Sequence, residues 1–193
     1  MSLRAVLFAM IIYFCLHWLI FFTQALVLRP LQSALLNDCC TVLLVTPLHG
    51  LRVLFAWYFG FWSLLIMAPT AAVLLLYFWS LSDFSYLNPW IFLVAAVYMV
   101  SALLAFKLLK LCLGPRGHPR DLEWRMIMLA GLISALMNVL TEGLFNPPDV
   151  PARETLIWMS MRLFSYISGL FMILLLLLAL LRQIGMRMQS DTK

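Results

Sequence analysis

Few side chains in this sequence are placed to do chemistry. Asp38 is a carboxylate with apolar runs on both sides of Asn37-Asp38. A carboxylate close to a membrane interior is costly and commonly handles protons or cations. Glu142 is a second acid beside an apolar helix, so Asp38, Asn138 and Glu142 could line a polar path. The competing explanation for Asp38 is helix capping or solvation at an interface, because Asn37-Asp38 sits at the edge of its segment. His17 falls within an apolar tract and His49 at the end of another. Two intramembrane imidazoles are what an axially ligated haem requires. They must share one depth, however, and His17 reads as mid-span while His49 reads as interfacial. A histidine hydrogen-bonded across a helix interface is the simpler alternative. His118 reads as solvated in a polar loop.

Gly131, Ser134, Asn138 and Thr141, with Ala135 and Glu142 beside them, recur at three- and four-residue steps. That spacing lines one helix face, and small residues there let two backbones approach. Ser165, Ser168 and Gly169 form a second seam of this kind, and the two helices, neighbours in sequence, are expected to pack together. Cys15, Cys39, Cys40 and Cys112 make no metal-ligand pattern. The sequence has no Gly-rich phosphate loop, H-E-x-x-H, G-x-S-x-G or paired carboxylates, which are the parts most hydrolases and nucleotide enzymes need. No catalytic residue, metal or cofactor is expected, and the chain reads as a non-enzyme.

The elements carrying these residues follow from composition. Of 193 residues, 65% are hydrophobic and 11% charged, with a mean hydropathy of +1.01. Soluble domains are about 45–50% apolar and about 25% charged, so a soluble globular fold is excluded, as is intrinsic disorder. A net charge of +5 need not mean nucleic acid, because in membrane proteins surplus Lys and Arg mark cytoplasmic loops and lipid headgroups. The expected fold class is all-α, a polytopic transmembrane helix bundle forming a single integral membrane domain over 1–193. A crossing takes roughly 20 apolar residues, which places about six spans near 5–28, 31–48, 61–79, 90–111, 124–141 and 163–181.

The first tract is longer than a signal-peptide core and has no A-x-A site, so it reads as a retained span. Arg29-Pro30 is expected to end it, since helix is disfavoured before proline. Residues 31–48 are short for a crossing; if they are re-entrant the count falls to five. Gly60 splits the long uncharged tract that follows, and Pro69 marks a kink. Lys107, Lys110, Arg116, Arg120 and Arg125 cluster in one segment, and Arg182, Arg187 and Lys193 in the tail. The positive-inside rule then puts both, with Arg4, Arg52 and both termini, in the cytoplasm, most plausibly at a bacterial inner membrane. Arg162 is expected to snorkel outward or to pair with Glu154.

Pro47-Leu48-His49-Gly50-Leu51-Arg52-Val53-Leu54, leading into Ala56-Trp57 and Trp62, resembles a stretch of the MASE1-type integral membrane sensory domains. Glu123-Trp124-Arg125 with Gly131, Ser134-Ala135 and Asn138 is similar to a later span of that group. Gly169 matches its Asp-x-x-Gly pattern, with Tyr166 standing in place of the acid. The resemblance implies a multi-span ligand-sensing or partner-binding module. Sensory members carry a cytoplasmic output domain that is not evident here, so this form is expected to act through a partner. The expected function is therefore a non-enzymatic accessory subunit or sensory scaffold, with membrane lipids and other membrane subunits as partners and no nucleic acid. A small ion-coupled transporter component and a haem-carrying electron-transfer subunit are the alternatives.

Overall fold

A computed structural model describes residues 2–36, 42–81, 90–113, 124–145 and 152–190. Asp38, Cys39, Cys40, Arg116, His118, Arg120 and Lys193 lie outside the described residues. Every regular element among them is helical. The apolar side chains explain this and also orient it. α1 (Leu3–Thr23) buries only Val6, Ala9, Tyr13 and His17, while Leu3, Leu7, Phe8, Ile11, Leu19 and Phe22 point outward. Buried positions elsewhere include Ser63, Thr70, Ser101, Ser134, Asn138, Glu142 and Ser165. Apolar outside with polar groups inside reverses the pattern of a water-soluble bundle.

α1 does not stop at Arg29-Pro30. It passes through a π-helical turn, Gln24–Leu28, into α2 (Arg29–Leu36), and the Arg29 N–H donates to the Gln24 carbonyl five residues back. In a regular α-helix a proline ring clashes with the carbonyl four residues earlier and supplies no N–H. The wider turn just ahead of Pro30 relieves that clash, so the helix is corrected to one apolar run, Leu3–Leu35.

Residues 31–48 are likewise not one helix. Residues 31–36 finish α2, 42–46 are non-helical, and α3 (Pro47–Phe59) begins after Thr46. Buried non-helical backbone must find partners, and its neighbours provide them. Gln32 Nε2 donates to the Val42 carbonyl at 2.7 Å and Gln32 Oε1 accepts from Leu44 N at 2.8 Å. Thr46 N donates to the Ser165 carbonyl at 3.0 Å, and Ser168 Oγ to the Leu44 carbonyl at 2.6 Å.

α3 starts on Pro47, whose missing N–H costs nothing at a first turn. It ends at Gly60, where φ is 55°, a region that favours glycine. α4 (Trp62–Leu81), α5 (Trp90–Leu113), α6 (Trp124–Phe145) and α7 (Ala152–Ser190) complete the bundle. α3 touches α1, α4, α5, α6 and α7, which makes this short helix the hub. Ser101 on α5 meets Ser134 on α6 at 2.9 Å, and Ala105 packs with Ala130, so these two helices run antiparallel. Gly131 backs onto Leu170, and Gly143 onto Met159, so α6 and α7 do too. Four helical segments are long and apolar enough to cross a membrane: Leu3–Leu35, Phe92–Cys112, Trp124–Phe145 and Glu154–Gln183.

Candidate functional site: a charged cavity inside the bundle

α6 and α7 approach closely where Gly143 faces Met159; a Cβ at Gly143 would stand 3.0 Å from the Met159 sulfur. Within a turn of that contact, Glu142 on α6 reaches Arg162 on α7, with Nη2 3.3 Å from Oε1. The same Oε1 accepts from Tyr166 Oη at 3.1 Å and from the hydroxyl of Tyr98 on α5. Tyr98 and Tyr166 also share a hydroxyl–hydroxyl contact. Glu142 is 6% exposed, and a carboxylate so buried needs this kind of pairing.

Arg52 enters from α3. Its guanidinium lies 4.6 Å from the centroid of the Tyr98 ring, and Nε donates to the Leu48 carbonyl at 3.3 Å. Among the described residues Glu142 is paired with Arg162, and no carboxylate stands within ion-pair distance of Arg52. Arg52, Tyr98, Glu142, Arg162 and Tyr166 form one wall of a cavity of about 380 Å³. Tyr13 and His17 from α1 and Thr70 from α4 line it as well, and Leu48, Met67, Leu74, Leu75, Val94 and Met99 make its apolar part. Both ring nitrogens of His17, the Thr70 hydroxyl, Glu142 Oε2 and Arg162 Nε are buried without a protein partner. Buried polar atoms are rarely left so, and all of these belong to residues of this cavity.

The residues singled out from the sequence are distributed unevenly around it. Glu142 is on the wall, as is His17. His49 is fully buried outside it, with Nε2 3.0 Å from the Gly131 carbonyl and its ring 5.0 Å from that of Tyr166. A carbonyl only accepts, so Nε2 carries the proton. The two histidines do not face one void, and the residues present do not fit a bis-histidine haem. Gly131, Ser134 and Asn138 are buried along the α6 seam.

α6 and α7 pack together as expected, through Gly131 on Leu170 and Ala135 and Val139 on Tyr166, but Ser165, Ser168 and Gly169 face elsewhere. They hold the non-helical segment instead. Thr46 Oγ1 and Ser165 Oγ are 2.5 Å apart, and a Cβ at Gly169 would fall 2.1 Å from the Thr46 carbonyl oxygen. Their hydroxyls and the missing Cβ serve a non-helical backbone, which needs such groups more than another helix does. Arg162 pairs with Glu142 rather than Glu154, because α7 turns it toward the low-dielectric interior where its partner is. Arg52, carried on α3, is in the cavity wall. Lys107, Lys110 and Arg125 are exposed at adjoining ends of α5 and α6; Asp38, Arg116 and Arg120 fall outside the described residues.

Tyr98, Tyr13 and Thr70 are not singled out as site residues by the sequence, which shows Arg52 only as a topological charge and part of the family-like stretch. The available signal was a charge, Arg52, followed by thirty uncharged residues, together with a tyrosine mid-way along an apolar helix. No group of three or more metal-ligating side chains occurs among the described residues. Compared with known proteins, the chain matches no family model, no curated protein and no solved structure.

Proposed function

We propose that this chain is an integral membrane module that binds a small ligand within its helix bundle and acts through partner proteins, as a sensory or accessory subunit and not as an enzyme. The observation that carries this reading is the cavity. It is large enough for a small molecule, since ligand sites run from about 300 Å³ upward, and it combines apolar walls with a few convergent polar groups. Intramembrane ionisable residues are by default functional, and here three of them meet: Arg52, Glu142 and Arg162. The sequence resemblance to MASE1-type sensory domains favours the same class.

The proposed topology has six passes with both ends cytoplasmic, the second pass being 42–46 plus α3. Five residues of non-helical chain and thirteen of helix reach about 36 Å at roughly 3.3 Å and 1.5 Å per residue, enough for a hydrocarbon core of about 30 Å. If helix directions alternate in this way, Arg4, Lys107, Lys110, Arg125 and Arg182 fall at one end, and the positive-inside rule favours that end as cytoplasmic. In-membrane cross-linking of the full chain followed by mass spectrometry tests the partner. A defined heteromeric adduct is expected, and recovery of the lone chain at every cross-linker length removes the reading.

One observation favours a second reading, a transporter component. Transport sites are often built where a pass is broken and its backbone is unwound, as at 42–46. That reading requires solute flux in proteoliposomes that falls in Glu142→Gln.

A further inference from the structure

The charge inside the cavity does not balance. Glu142 is engaged by Arg162 and by two tyrosine hydroxyls. Among the described residues Arg52 meets a ring face and the carbonyl of Leu48 in its own helix, and it feels the Glu142 carboxylate at longer range, with no ion-pair contact. With two guanidinium groups against one carboxylate, the described wall carries one surplus positive charge, and Arg52 is half-buried. A charge partly shielded from water without a partner is costly, and a counter-ion that follows it in recovers that cost. The groups without protein partners have matching chemistry: the Thr70 hydroxyl and one N–H of His17 are donors an anion accepts from. Most of the remaining lining is aliphatic, from Leu48 through Met67, Leu74 and Leu75 to Val94. A free inorganic anion would leave that surface unfilled, and a purely apolar molecule would leave Arg52 unpaired.

We propose that the cavity takes an amphiphilic anion, one carboxylate or phosphate on an aliphatic chain. The head meets the Arg52 guanidinium, assisted by Thr70 and His17, and the chain lies along Leu48, Leu74, Leu75 and Val94. This rests on the ligand-binding reading above and names its ligand class. Glu142 keeps Arg162 occupied, which leaves Arg52 as the anion's contact. Guanidinium suits the role because its planar fork matches a carboxylate or phosphate edge.

The test uses the full chain in phosphatidylcholine nanodiscs at neutral pH, with radiolabelled decanoate, decyl phosphate, decanol and decyltrimethylammonium as probes. Saturable binding of decanoate or decyl phosphate is expected, with decanol weaker by about tenfold or more, the worth of a charge-assisted contact. Arg52→Gln should bring the anions down to the level of decanol and leave decanol unchanged. That unchanged value also reports that the variant is folded. Leu75→Trp should block all chain-bearing probes while keeping every charge. Equal or tighter binding of decanol or of the cation overturns the anion assignment but leaves a ligand-binding cavity. Saturable binding of none of the four overturns both. Displacement of decanoate by inorganic phosphate alone overturns the amphiphile in favour of a small-ion site. Adding phosphatidylglycerol to the discs separates the sources: competition identifies a bilayer lipid, and its absence a free amphiphile.

Discussion

Glu142 sets the energetics of the site because three polar groups, from Arg162, Tyr98 and Tyr166, converge on it. Removing the carboxylate leaves Arg162 buried and unpaired, and such half-pairs cost more than the intact pair contributes. Arg162 keeps 30% of its side chain exposed, so Glu142→Ala should cost about 3 kcal/mol, the lower end of the range for broken buried pairs. Glu142→Gln should cost less, since an amide oxygen still accepts from Tyr98 and Tyr166. Adding Arg162→Met to Glu142→Ala should recover much of the loss. Unfolding in a graded detergent series measures all three, and a double variant worse than Glu142→Ala would refute the pairing. Glu142 was visible in the sequence as an acid on a small-residue face. Its partner was not, because Arg162 has one acid, Glu154, close by on its own helix, and only the α6–α7 crossing brings Glu142 nearer.

Among the elements, the non-helical segment 42–46 is the least independent. Its carbonyls and amides are held by Gln24, Gln32, Ser165 and Ser168, and its path depends on the absent Cβ of Gly169. Gly169→Ala sets a methyl against the backbone of Thr46, which cannot move without disturbing those bonds. Gly131→Ala meets the terminal methyl of Leu170, which can rotate. Overpacking of this kind costs typically 1–3 kcal/mol; Gly169→Ala should lie near about 3 and Gly131→Ala near about 1. The same detergent series decides it, and equal losses would count against the backbone contact. Periodicity revealed the long helices, where twenty apolar residues leave no other choice. It missed the π turn and the break, because both are set by backbone hydrogen bonds to distant side chains. Pro30 reads as a stop signal unless the chain ahead of it widens.

At the scale of the molecule, the inverted polarity is what composition announced at once: leucines and phenylalanines outside, serines, threonine and charges inside. Composition did not say that the interior encloses a void. In the proposed topology the residues that line the cavity lie toward the half of the bundle away from Lys107, Lys110 and Arg125. A cysteine at Ala95, on the cavity wall, should therefore react with a small membrane-impermeant thiol reagent added from outside intact cells. Native Cys112, exposed near the basic end of α5, should react only after permeabilisation. The opposite pattern would invert the topology. A fluorescent reporter fused after Lys193 should mature in the cytoplasm, and an alkaline phosphatase fused there should be inactive.

α7 is 39 residues long, about 58 Å at 1.5 Å per residue, nearly twice a hydrocarbon core of about 30 Å. Arg162 and Tyr166, in its first half, line the cavity, and the helix runs on through Gly169 with no proline before Ser190. The helix thus joins the cavity wall to the far end of the chain in one piece. On the proposed ligand-binding reading, a shift of Tyr166 on filling of the void has a continuous helix along which to reach the stretch around Arg182.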